Sequence, residues 1–213
     1  MDIGDDQIIS VVLVLALLLL SRVRDLLDNS GLFAATITGL TVSLLGHWTW
    51  LIALFIFLVI GSIATKWKLE EKKLLSLEEA NEGLRSWKNV LANGGAVSIM
   101  AIYNFISPGE EWIYFAAIAS ISVALSDTLA SEIGSLDTRT RSITTLQSVP
   151  AGTNGGMSPT GTVAALIGAI IISIIGVIFS PEDSTISNIN LLLMLTLIGW
   201  LGCQVDSLLG ALL

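Results

Sequence analysis

The sequence predicts an all-α, polytopic membrane helical bundle of about seven transmembrane helices with its N-terminus outside. Residues 1–213 read as a single integral-membrane domain. Three observations predict this. Of 213 residues, 53% are hydrophobic and only 13% are charged, with a mean hydropathy of +0.81, whereas a soluble domain is about 25% charged. Apolar runs that approach the roughly 20 residues needed to cross a bilayer at 1.5 Å per residue recur along the chain. The basic residues are confined to alternate connections between those runs. This composition excludes a soluble enzyme and a disordered chain. A net charge of −8 leaves no basic surplus to meet nucleic acid. The one cysteine, Cys203, cannot close an internal disulfide.

The spans fall at about residues 7–23, 31–46, 48–65, 89–106, 111–131, 159–179 and 188–213. The first follows Asp2, Asp5 and Asp6. A secretory signal would carry positive charge there, so this is a span and not a cleaved peptide. The second is the weakest, diluted by Thr36, Thr38, Gly39, Thr41 and Ser43 before His47. It reads as re-entrant or as shielded by neighbours. Arg22 and Arg24 follow the first span, six basic residues from Lys66 to Lys88 follow the third, and Arg139 and Arg141 follow the fifth. The other side carries Asp2, Asp5, Asp6, Glu110, Glu111, Glu182 and Asp183. The positive-inside rule then makes both long connections, 66–88 and 132–158, cytoplasmic. These two loops are expected to form the active-site face. Lys66 to Glu82, with mixed charges and interleaved leucines, reads as an amphipathic helix at the interface.

Three acids lie in or beside apolar segments: Asp127, Glu132 and Asp206. A carboxylate at mid-bilayer costs at least a few kcal/mol, so such groups face a protein interior or a wet cavity. Alternatively they sit at the helix ends and are simply hydrated, and for Glu132 the two readings are equal. Ser126-Asp127-Thr128-Leu129 and Val205-Asp206-Ser207-Leu208 share a pattern of acid, hydroxyl and leucine near the end of a span. This is a short internal duplication that would bring two carboxylates to one depth. Carboxylates and hydroxyls at a membrane surface suit Mg²⁺, which takes oxygen ligands together with substrate phosphates. The loop Pro150-Ala151-Gly152-Thr153-Asn154-Gly155-Gly156-Met157-Ser158 enters the sixth span. Its glycines allow close backbone approach to an anion at a helix N-terminus, and they are equally ordinary turn chemistry. No Lys-Ser/Thr pair follows, so it is not a Walker loop. Asn89 and Asn93 share a helical face, which suits either a cap with close packing or a polar site. Lys66 reads as a phosphate-binding cation or a snorkelling side chain.

In order, Gly61-Ser62-Ile63-Ala64-Thr65-Lys66, Trp87-Lys88-Asn89-Val90-Leu91-Ala92-Asn93-Gly94-Gly95, Ser126 to Gly134, Ile143-Thr144-Thr145, Pro150 to Gly156 and Asp206 to Gly210 resemble the integral-membrane family that includes plant phytyl-phosphate kinase. The resemblance implies a membrane kinase that moves a phosphoryl group from a nucleoside triphosphate, CTP, to an isoprenoid monophosphate at the cytoplasmic face. It implies catalytic roles for Asp127, Asp206 and Lys66, and metal contacts for Asp127, Glu132 and Asp206. It further implies nucleotide or phosphate contacts for Asn89, Asn93, Thr144, Thr145, Gly152, Thr153, Asn154, Gly155, Gly156 and Ser158. Members of that family usually continue past the second acid motif, so this chain is expected either to be a short or trimmed member or to lack part of the site. The expected partners are the lipid bilayer, the prenyl phosphate and the nucleotide, with no nucleic acid, and a homo-oligomer is compatible. The alternatives are a carrier or flippase for an anionic lipid and a cytidylyltransferase acting on a lipid phosphate.

Overall fold

A computed structural model describes residues 5–75, 84–182 and 184–212. Among them the chain forms α1 (Asp5–Val23), α2 (Asn29–Leu45), α3 (Trp48–Lys66), α4 (Leu69–Leu74), α5 (Trp87–Ile106), α6 (Glu111–Gly134), α7 (Pro159–Ile178) and α8 (Asn188–Leu212). Two-residue strands β1 (Arg141–Ser142) and β2 (Gly156–Met157) pair antiparallel between α6 and α7. Helices α3, α5, α6, α7 and α8 are long and apolar enough to cross a membrane, and the apolar parts of α1 and α2 are shorter. Each long helix coincides with an expected span to within a few residues. The weak second span is one continuous helix. It turns Gly31, Ala34, Ala35, Thr38, Gly39, Val42 and Ser43 towards its neighbours, and Thr36 and Thr41 donate to carbonyls four residues back. Dilution by small and polar residues here marks a packing face.

Helix α6 is the hub, packed by α3, α5, α7 and α8. Two-thirds of its apolar stretch is buried, 67% against 17% for α5. The helices α7 and α8 meet it through glycine. A Cβ at Gly168 would stand 3.0 Å from the Leu125 carbonyl oxygen, and one at Gly202 2.5 Å from the Val123 side chain. Any side chain at Gly199 would run into the Ser122 hydroxyl. Ser122, with no exposed surface, sets its Oγ 3.4 Å from the carbonyls of both Ala169 on α7 and Leu195 on α8. One hydroxyl thus sits at the three-helix junction.

Polar contacts gather the connections at two ends. At one end Lys66 Nζ donates to the Arg24 carbonyl (2.7 Å), and Arg85 exchanges backbone hydrogen bonds with Leu26 and Asp28. Lys72 on α4 reaches Glu132 on α6. At the other end Asn104 donates to the Leu45 carbonyl, Trp48 stacks edge-on against Phe179, and the backbone N–H and hydroxyl of Thr185 donate to Glu111. The basic connections therefore share one end of the bundle. Of the amphipathic helix expected over Lys66–Glu82, the structure describes only α4, and residues 76–83 lie outside the described residues. Helix α4 does not float at the interface, because its Lys72 is turned inward and is only 1% exposed.

Overpacking a close helix crossing costs about 1–3 kcal/mol. Gly168→Leu should therefore lower the thermal unfolding temperature in detergent by several degrees. Gly95→Ala, whose Cβ would meet nothing within 4 Å, should leave it unchanged or slightly raised.

Candidate functional site

At the basic end, the last turns of α6, the N-terminus of α7 and the C-terminal half of α8 enclose a cavity of about 250 Å³. The loop before α7 closes it. Asp127 enters from α6 and Asp206 from α8, so the two acid motifs do converge on one space. Cys203, one helical turn before Asp206, is 1% exposed and directs its thiol at Asp127 Oδ1 (3.9 Å). The spacing of 203, 206, 207 and 210 along one face of α8 carries this group, yet a lone thiol among apolar residues gives no sequence signal of its own.

The loop reaches the cavity by two local devices. Gly155 lies at φ +70°, and any side chain there would strike Ala211 of α8, so glycine lets the loop rest on that helix. Asp137 fastens the other end: its carboxylate accepts from Arg139 N, Nε and one terminal nitrogen, each at 2.9 Å. It also accepts from the backbone N–H and hydroxyl of Thr160 in the first turn of α7. These donors, Arg139 foremost, hold the Asp137 carboxyl well below the usual carboxylate range. Sequence reading passed over Asp137, whose only signal is an arginine two residues on. Gly152, Thr153, Asn154, Gly155 and Gly156 all line the cavity. The N–H groups of Asn154 and Gly155 have no hydrogen-bond partner among the described residues, which leaves them available to an anion. Ser158 also lines it, but its hydroxyl caps α7 at Gly161 N (3.2 Å) and donates to the Gly134 carbonyl (3.2 Å).

Other expected residues stand elsewhere. Thr144 and Thr145 belong to the exposed turn beyond β1, bonded to Ser142 and Gln147. Lys66 is held at the α1–α3 junction by the Arg24 carbonyl. Asn89 forms a capping box with Ser86, and Asn93 donates to the Asn89 carbonyl. Both asparagines face a small apolar slot of about 60 Å³ between α2, α3 and α5, with Arg85 beside them. Glu132 points away from Asp127, into a buried knot. Lys72 Nζ meets its Oε2 at 2.6 Å, and the Thr65 hydroxyl donates to Oε1 at 2.7 Å. The remaining protons of Lys72 go to the carbonyls of Ala64 and Thr65.

The residues lining the Asp127–Asp206 cavity include no lysine and no arginine. Among the described residues no three His, Cys, Asp or Glu side chains gather closely enough to cage a metal ion. Two carboxylates with hydroxyls in one cavity fit an ion such as Mg²⁺ that fills its shell from water and phosphate oxygens.

A family model described as "Integral membrane protein DUF92" matches residues 12–213. The chain belongs to the DUF92 family of integral membrane proteins. This DUF92 member is 34% identical over 96% of its length to "Uncharacterized membrane protein MJ0933" of Methanocaldococcus jannaschii, covering 82% of that protein. It is 28% identical to "Protein PGR" of Arabidopsis thaliana over 88% of its length and 72% of the relative. It is also 30% identical to "Protein VTE6, chloroplastic" of the same plant over 66% of its own length, which spans 47% of that relative. No solved structure matches the chain. As a DUF92 member it is a multi-pass membrane protein.

Two outcomes are expected. Removing one partner of a buried ion pair costs about 3–5 kcal/mol, so Lys72→Met should destabilise strongly in detergent melts, and Lys72→Met/Glu132→Gln should recover most of the loss. The stabilisation from Asp137 is present above the ordinary carboxylate pKa and is lost only as pH falls through its depressed folded value. The loop 138–158 should therefore resist pepsin at pH 4, whereas Asp137→Asn should be cleaved there.

Proposed function

We propose that this protein transfers a phosphoryl group from a nucleoside triphosphate, CTP, to an isoprenoid monophosphate, giving the diphosphate, at the basic, cytoplasmic end of the bundle. The observation that carries this reading is the convergence of Asp127 and Asp206 on one cavity, opposite the glycine loop at the N-terminus of α7. The motif resemblance to the phytyl-phosphate kinase family supports it, as does the relationship to the chloroplastic plant protein VTE6.

In this reading the Asn154 and Gly155 N–H groups hold nucleotide phosphate oxygens, with the positive end of the α7 dipole close by. Asp127 and Asp206 would hold Mg²⁺, which would supply charge neutralisation at the transferring phosphoryl group. The acceptor phosphate is already nucleophilic at neutral pH, so positioning and electrostatics carry the reaction and no general base is required. Cys203 keeps one side of Asp127 dry and gives it a weak donor. Because Lys66, Asn89, Asn93, Thr144, Thr145 and Glu132 stand outside the cavity, the reading rests on the two aspartates and the loop.

Purified protein with CTP, Mg²⁺ and geranylgeranyl monophosphate should form the diphosphate and CDP. A product carrying CMP would instead indicate cytidylyl transfer, and transport across liposomes without nucleotide would indicate a carrier. Asp127→Asn and Asp206→Asn should each lower kcat by about 100-fold or more with unchanged melting, while Lys72→Met/Glu132→Gln should leave the Mg²⁺ dependence where it was.

A further inference from the structure

Seven hydroxyl side chains line the Asp127–Asp206 cavity, and six of them have no proton to offer a ligand. The hydroxyls of Ser131, Ser135, Thr140, Thr153, Ser158 and Thr162 each sit 2.7–3.2 Å from a main-chain carbonyl oxygen. A carbonyl only accepts, so each hydroxyl proton lies on that bond and only lone pairs remain. The Cys203 thiol is turned to Asp127, and no lysine or arginine lines the cavity. An anionic group here needs donors from elsewhere. The side chains that keep donors are Asn154 of the loop and Gln204 and Ser207 of α8, none hydrogen-bonded to a described residue.

Gln204 differs from the other two in depth. The loop rests at Gly155 on Ala211 and beside the Ser207 carbonyl, which sets Asn154 and Ser207 at one level. Gln204 lies seven residues before Ala211, about 10 Å deeper along α8. Helical side chains lean towards the N-terminus, which here is away from the loop. Trp200, one turn earlier, donates to the Thr162 carbonyl (3.2 Å), so this face of α8 lies on the first turn of α7. Leu201 and Val205 on either side are 51% and 54% exposed, so the surrounding level is that of lipid. A primary amide in an apolar span is costly unless it meets water or a partner, and half-buried Gln204 opens into the cavity. We propose that Gln204 donates its amide N–H to the phosphate of the membrane-borne acceptor, holding it on the cavity floor beside Asp127. The acceptor carries an apolar chain and arrives from lipid, whereas the nucleotide arrives from water at the basic end. The deeper donor therefore belongs to the acceptor and the loop to the nucleotide. This deepens the kinase reading and rests on it for the ligand's role as acceptor, but not for its binding.

The test is binding of radiolabelled geranylgeranyl monophosphate to the whole protein in nanodiscs, with Mg²⁺ and without nucleotide. Gln204→Met, close in length and volume, should weaken binding about tenfold and leave geranylgeraniol binding and the melting temperature unchanged. Gln204→Glu removes the donors and adds a negative charge, so it should weaken binding further. Thr162→Val, which deletes a hydroxyl with no proton to give, should bind as the wild type does. With CTP present, Gln204→Met should raise the KM for the monophosphate and leave the KM for CTP where it was. No binding by the wild type, wild-type binding in Gln204→Met or Gln204→Glu, an equal loss for the alcohol, an equal loss in Thr162→Val, or a raised KM for CTP alone overturns the assignment. If binding follows these expectations and no diphosphate forms with CTP, the Gln204 contact stands and the kinase reading falls. If diphosphate forms and Gln204→Met keeps the wild-type KM for the monophosphate, the kinase reading stands and the Gln204 contact falls.

Discussion

The backbones of α7 and α8 press against α6 at a distance that only glycine permits, and the remainder of the molecule follows from that contact. In a bilayer no hydrophobic drive brings helices together, so close van der Waals packing and interhelical polar contacts must do so. Gly168, Gly199 and Gly202 supply the first, and the Ser122 hydroxyl between two carbonyl groups supplies the second. With the three axes so close, Asp127 and Asp206 have to open onto a common space at the end of the bundle. Spreading α8 away by the width of one side chain would separate them, and Cys203 would lose its approach to Asp127.

Much of this was legible in the residues because membrane helices follow a length and polarity rule that needs no long-range information. The spans and the segregation of basic connections came from the order of apolar runs and basic residues along the chain. The two acid motifs were readable for the same reason: a carboxylate in apolar sequence is expensive, so its presence needs an explanation. What escaped was which partner, local or distant, each polar side chain would take. Glu132 looks like Asp127 in sequence and lies five residues away, about 140° round the helix. That rotation delivers it to Lys72, sixty residues earlier, and away from the cavity. Asn89 is used up by its own capping box, and Ser158 by the end of α7. For these residues the local, bland use of a polar side chain took precedence over the distant one.

Membership of DUF92 accounts for the membrane architecture across nearly the whole chain. It leaves chemistry to be argued from the site, since a shared fold hosts different reactions. Among the described residues the cavity is lined by two acids and by no lysine or arginine. Two carboxylates repel a bare triphosphate at close range. On the proposed reading, a divalent ion held by Asp127 and Asp206 would offset that repulsion.

The connection from α3 to α5 is fastened at two places. Lys72 is sunk against Glu132, and Arg85 is stitched by backbone hydrogen bonds to the turn between α1 and α2. The two anchors tie the connection to different parts of the bundle, Lys72 to α6 and Arg85 to the turn between α1 and α2. Loosening one would leave the other holding, so the basic face opens in two separate local steps and not as a single unit.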